Sequence, residues 1–130
     1  MSTECYILSH NIGRNYDKLF TSIDYIKNVG LDNTVALLVQ EFPIRDLEMI
    51  KNVLHQDLNN FDLCLNMAMR SRDGHRKGLL SAINLDMCYQ NKILKQIELN
   101  EEPIMATMTI VRFSEKQIAP VALTNVYIGP

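Results

Sequence analysis

Cysteine is scarce in this 130-residue chain: Cys5, Cys64 and Cys88 are odd in number and far apart. That pattern excludes a disulfide-dense secreted scaffold and offers no paired-cysteine zinc motif. The expectation is three reduced core thiols in a cytoplasmic protein. Long apolar runs are missing too. No stretch approaches the roughly 20 residues that span a bilayer, so no membrane span is expected. Met1 to Cys5 is polar and lacks the basic lead of a signal peptide. Nor does one sign of charge dominate: 13 Lys and Arg against 15 Asp and Glu leave a net charge of −2. This excludes a general attraction to nucleic acid or acidic membranes and leaves room only for a local basic patch. There is no internal repeat, no low-complexity segment, no P-loop, no G-x-G-x-x-G and no G-x-S-x-G.

What is present is enough apolar sequence for a packed core. Hydrophobic residues make up 47% and charged residues 22%, and no linker divides the chain, so residues 1–130 read as one domain. Cys5 to Ile12 reads as a first strand, apolar on both faces near its start, as a central strand would be. Leu19, Ile23 and Ile26 make a helical stripe that Gly30 ends. Val35 to Glu41 is a short apolar strand in which Val35, Leu37, Val39 and Glu41 share a face. Pro43 opens a second helix, with Leu47, Ile50, Leu54 and Leu58 on its apolar side. Phe61 to Met69 alternates strictly. Further strands follow at Gly78 to Leu85, Lys92 to Leu99, Ile104 to Phe113 and Ala119 to Ile128. The fold class is α/β (α+β): a βαβα start followed by antiparallel strands, giving a mixed, mainly antiparallel sheet.

Both early strands end in polar residues, Asn11 and Glu41. A βαβ crossover makes the strands parallel and brings those ends to one sheet edge, where ligands of parallel sheets bind. Each residue also has an ordinary reading: Asn11 as a turn former before Gly13, and Glu41 as a solvated strand-end carboxylate. His10 lies on the face opposite Asn11, and His55 stands among polar residues of the second helix. The run Arg70, Arg72, Arg76 and Lys77 is the one basic cluster, either a solvated loop or a contact for phosphates.

The order of these pieces resembles the endonuclease/exonuclease/phosphatase superfamily, the DNase I-like proteins. SHNI ends the first strand and VQE the second. GHRKGLLSAI resembles that family's glycine-led strand, IMATMTIVRF its next long strand, and TNVYIGP its N-V-Y-x-P type motif. The likeness runs from about Tyr6 to Pro130 and implies half of a four-layer DNase I-like sandwich. It implies that Asn11 and Glu41 hold a catalytic Mg²⁺ (or Mn²⁺) with its bound phosphate. Tyr127 would contact that phosphate as a third catalytic residue, Arg76 and Lys77 would lie on the phosphate-binding side, and Asn125 would lie there too, supporting the local geometry. A sparse set of one carboxylate and one amide suits a hard cation that keeps waters and takes substrate oxygens.

Family members also carry D-x-N and S-D-H type motifs. Here the last Asp is Asp86 and the last His is His75. The implied function is a phosphoesterase lineage, nuclease or phosphatase, incomplete in this chain. Its partners would be a phosphate-containing substrate, nucleic acid among the options. The alternative is a noncatalytic module. In either case an uncovered apolar sheet face points to a homo-oligomer or to a second chain lying on it.

Overall fold

The computed structural model describes residues 4–43, 45, 47–67, 77–117 and 119–129. Two helices form where the apolar spacing predicts them, but Pro43 ends the preceding strand and does not open the second helix. Helix α1 (Tyr16–Val29) is capped by Asn15, whose Oδ1 accepts the Asp17 N–H at 2.9 Å. Gly30 closes it with φ +114°, returning its N–H to the Ile26 carbonyl at 2.8 Å. Helix α2 (Leu47–Asp57) buries Ile50 and Leu54.

Seven strands follow the expected order: β1 (Tyr6–Asn11), β2 (Thr34–Pro43), β3 (Phe61–Asn66), β4 (Lys77–Asn84), β5 (Lys95–Glu101), β6 (Ile104–Val111) and β7 (Val121–Ile128). They make two sheets, of order β1-β2-β4-β3 and β5-β6-β7. Strand β1 runs parallel to β2, and every other pairing is antiparallel. Leu19, Ile23 and Ile26 of α1 and Ile50 and Leu54 of α2 pack on Leu37, Val39, Leu80 and Ala82 of the first sheet. At roughly 1.5–3 kcal/mol per fully buried large side chain, this layer is a principal source of stability. The opposite face of that sheet meets the second one through Val35, Ala36, Leu38, Ile83, Val111 and Leu123. The order of layers is therefore helices, four strands, three strands. This is a mixed α+β architecture with two mainly antiparallel sheets.

Three further expectations change. Strand β1 is an edge strand, not a central one, and Tyr6 and Ile7 are exposed. The chain closes the inner face of its first sheet with its own β5-β6-β7; the uncovered apolar face is the outer side of that second sheet. The thiols are all free as expected, but Cys5 is exposed, Cys64 half-buried and only Cys88 buried. Burial raises the Cys64 thiol above its ordinary range, helped by Glu98 and Asp62, and burial alone raises Cys88. Among the described residues no helix is long and apolar enough to cross a membrane.

Candidate functional site

The site is made by a break in a ladder. Strands β2 and β4 pair Val39 with Leu80 and then Phe42 with Gly78, three residues along one strand against two along the other. The extra residue is a β-bulge at Gln40 and Glu41. Up to Val39, odd residues such as Leu37 face the helices and Leu38 faces the second sheet. After the bulge the parity flips. Phe42 joins the helix-side core, its ring edge-on to Tyr16 at 5.6 Å. Glu41, with φ +55°, leaves the row of Leu37 and Val39 and turns toward the second sheet. A left-handed glutamate is strained backbone, and such strain clusters at functional positions.

Around Glu41 the fold gathers three elements. The Tyr127 hydroxyl at the end of β7 donates to Glu41 Oε1 at 2.8 Å. Lys77, first residue of β4, brings its Nζ to the same oxygen at 3.3 Å. The turn after β1 lies against the bulge: the Ile12 N–H donates to the Gln40 carbonyl at 3.1 Å and the Arg14 N–H to the Glu41 carbonyl at 3.0 Å. Within that turn Gly13 has φ +56°, and its N–H donates to Asn11 Oδ1 at 3.0 Å. A Cβ on Gly13 would stand 3.7 Å from Glu41 Oε2, so Asn11 and Glu41 both lie against this one glycine.

Asn125 sits beneath. It is 1% exposed, with its Nδ2 donating to the Leu80 carbonyl at 3.0 Å and the Val39 carbonyl at 3.2 Å. Its Oδ1 accepts from Gln40 Nε2 at 2.8 Å. Asn125 therefore supports the local geometry: its amide is spent inside the fold, tying β7 to the two strands at the bulge. Arg76 and the rest of the basic run 70–76 lie outside the described residues. His10 bonds Ser22 of α1 and takes no part in the cluster.

Sequence reasoning named Asn11, Glu41, Lys77 and Tyr127, and the fold brings them to one end of the sheets. It missed the bulge, although Phe42 carries the clue: an apolar residue out of phase with Leu37 and Val39. It also missed Asn66, a second buried asparagine, whose Nδ2 donates to Asn100 Oδ1 at 2.9 Å across the sheets.

The donor set fits a sparse hard-cation site. Glu41 Oε2 has no hydrogen bond among the described residues, and Asn11 supplies an amide oxygen beside it. No group of three or more His, Cys, Asp or Glu side chains that could hold a metal occurs among the described residues.

No family model matches the sequence, and no curated protein does. Solved structures do resemble it. D. rerio TDP2 complexed with single strand DNA product aligns with a TM-score of 0.62 at 15% identity over 95% of this chain. Truncated Caenorhabditis elegans TDP2 aligns with a TM-score of 0.57 at 17% identity, also over 95% of this chain. The fold is a partial DNase I-like one. This chain spans 46% of each of those TDP2 chains, and at such identity the likeness is one of fold alone.

Tyr127 gives the site a pH signature. Its hydrogen bond to Glu41, then burial, then the Glu41 charge raise its phenol above the ordinary value near 10. A raised folded-state value means that the stabilisation is complete below the unfolded value and fades as pH climbs through the folded one. Absorbance titration should show a tyrosine ionising late, and Tyr127→Phe should remove that phase. A Tyr127→Phe difference titrating at or below pH 10 would contradict the bond.

Proposed function

We propose that this chain carries the metal-and-phosphate side of a divalent-metal-dependent phosphoesterase site, of the nuclease or phosphatase kind. The observation that supports it most is the carboxylate of Glu41. A strained bulge turns it to the strand ends, where Asn11, Lys77 and Tyr127 meet it. Glu41 Oε2 and Asn11 Oδ1 would hold Mg²⁺ or Mn²⁺. When bound, the ion supplies Lewis-acid polarisation of a phosphoryl oxygen and neutralises charge on the leaving oxygen. Tyr127 would donate a hydrogen bond to the phosphate, and Lys77 would add a cation beside it. One fold neighbour is TDP2 complexed with single strand DNA product, so a phosphorylated single-strand end is the substrate to test first. Three free thiols favour a reducing, cytoplasmic setting.

Mn²⁺ titration of the 130-residue chain should broaden amide signals selectively around Asn11 to Arg14 and Glu41, and Glu41→Gln should abolish the effect. Binding of a phosphorylated single-stranded oligonucleotide should then require Mg²⁺ and Glu41. Hydrolysis by this chain alone should be negligible, because no described residue is placed to orient an attacking water and those orientation and electrostatic terms are large. Uniform broadening, or broadening unchanged in Glu41→Gln, would refute the metal reading. Metal-dependent hydrolysis that vanishes in Glu41→Ala would refute the incompleteness.

A second reading rests on a separate observation. The outer face of β5-β6-β7 carries Ile97, Leu99, Ile104, Val126 and Ile128, all exposed. We propose that a second copy of this chain lies on that face, whether or not the site is catalytic.

A further inference from the structure

We propose that Lys77 is a built-in competitor for the metal: its ammonium neutralises Glu41 in the metal-free protein, and a divalent cation binds by displacing it. The inference rests on the metal reading above and adds a residue that sets affinity.

The geometry behind it is specific. Glu41 Oε1 already receives two donors, the Tyr127 hydroxyl at 2.8 Å and Lys77 Nζ at 3.3 Å. The Lys77 and Glu41 side chains are each 18% exposed, so this pair is screened less than a surface pair. Lys77 cannot drift away with its strand. It pairs with Pro43 just past the bulge, and the next residue, Gly78, is locked. A Cβ on Gly78 would fall 2.1 Å from Met67 Sδ and 2.6 Å from the Asn66 carbonyl oxygen, so strand β4 enters here only because this residue is glycine. Backbone packing therefore fixes the base of the lysine beside the carboxylate, while its side chain keeps the freedom to rotate.

A monovalent ammonium and a divalent ion cannot both take full advantage of one carboxylate. A metal close enough to ligate Glu41 would also lie within a few Å of the ammonium, where like charges repel strongly in a partly desolvated site. Lys77 must swing out, and metal affinity then reports the difference between the two cations. A glutamine in its place keeps a hydrogen-bond donor but removes both the competition and the repulsion. Arginine keeps the charge and adds a two-pronged grip on the carboxylate.

The test is a free-Mn²⁺ titration, read by the electron paramagnetic resonance of the unbound ion, on the full 130-residue chain. Lys77→Gln should bind Mn²⁺ about three- to tenfold more tightly than the unsubstituted chain. Lys77→Arg should bind equally or more weakly. Glu41→Gln should abolish binding in both the Lys77 and Lys77→Gln backgrounds. A second readout does not depend on a variant folding: on Mg²⁺ addition the Lys77 side-chain Nζ and Cε resonances should move toward those of a free lysine. Glu41-dependent binding that is unchanged or weaker in Lys77→Gln, or that leaves the Lys77 resonances still, would overturn the competition while leaving the metal reading intact. Absence of Glu41-dependent binding from every variant, Lys77→Gln included, would overturn both.

Discussion

Replacing Asn125 with leucine should lower stability by roughly 3 kcal/mol, a large share of the 5–15 kcal/mol typical of a domain. In a chain of this size that corresponds to a fall in Tm of about 10 °C or more. The side chain is 1% exposed and makes its bonds at the place where the β2-β4 ladder slips. Its Nδ2 reaches the Leu80 and Val39 carbonyls, one on each strand, and its Oδ1 accepts from Gln40. Leucine fills similar space but takes a donor away from two carbonyls inside the fold, and unmet buried polar groups are costly. Asn125→Asp is the sharper probe. It keeps the shape and the Gln40 bond, yet turns an oxygen toward two carbonyl oxygens, so it should destabilise at least as much as leucine above neutral pH. Thermal and urea melts followed by circular dichroism give the answer. An Asn125→Asp melt within a degree or two of the unsubstituted chain would show that this amide does not hold the sheets together.

Two periodicities made most of the elements readable in advance. Leu19, Ile23 and Ile26 repeat at helical spacing, and Phe61, Leu63 and Leu65 alternate at strand spacing, because local burial imposes those periods. Pairing was not readable, since it depends on partners far along the chain. Tyr6 to Leu8 is apolar on both sides, like an interior strand, yet it takes the edge while β4 inserts between β2 and β3. The division into two sheets was hidden for a similar reason. Strands β4 and β5 are joined by Leu85 to Leu94 with no strong break in composition, and nothing local says that the chain changes sheet there. The candidate site was half legible. A strand-end asparagine and glutamate can be seen in sequence, and a likeness of motifs points to Tyr127. The bulge that aims Glu41 cannot be seen by counting faces, because one inserted residue reverses every face after it. Lys77 looked like part of a basic loop; only the register of Pro43 against Lys77 makes it the counterion of Glu41.

In sedimentation at micromolar concentration the 14.9 kDa chain should run as a dimer, and Ile97→Glu combined with Val126→Lys should return it to a monomer with at least a hundredfold loss of association. The helices cover one side of the first sheet and β5-β6-β7 covers the other, which leaves the outer side of that second sheet. Alternation puts Ile97 and Leu99 of β5, Ile104, Met108 and Ile110 of β6, and Val126 and Ile128 of β7 on it. Three strands about 4.8 Å apart and some 27 Å long present roughly 400 Å² in plan, the size of the largest apolar patch on a typical monomer, which is often an interaction site. The charges fall at the rim. Lys95 and Glu101 stand at opposite ends of the β5 outer row, so a twofold axis that reverses the strands would set each lysine near the partner's glutamate while the apolar rows meet. A second copy satisfies both requirements at once, since an isologous pairing buries identical patches and matches these two charges twice. Lys95→Glu should then weaken the dimer, and adding Glu101→Lys should restore it, a reversal that a generic sticky surface would not reproduce. A monomer at micromolar concentration would reject the second-copy assignment, whether or not an apolar dye binds this face, and so would association that survives Ile97→Glu with Val126→Lys.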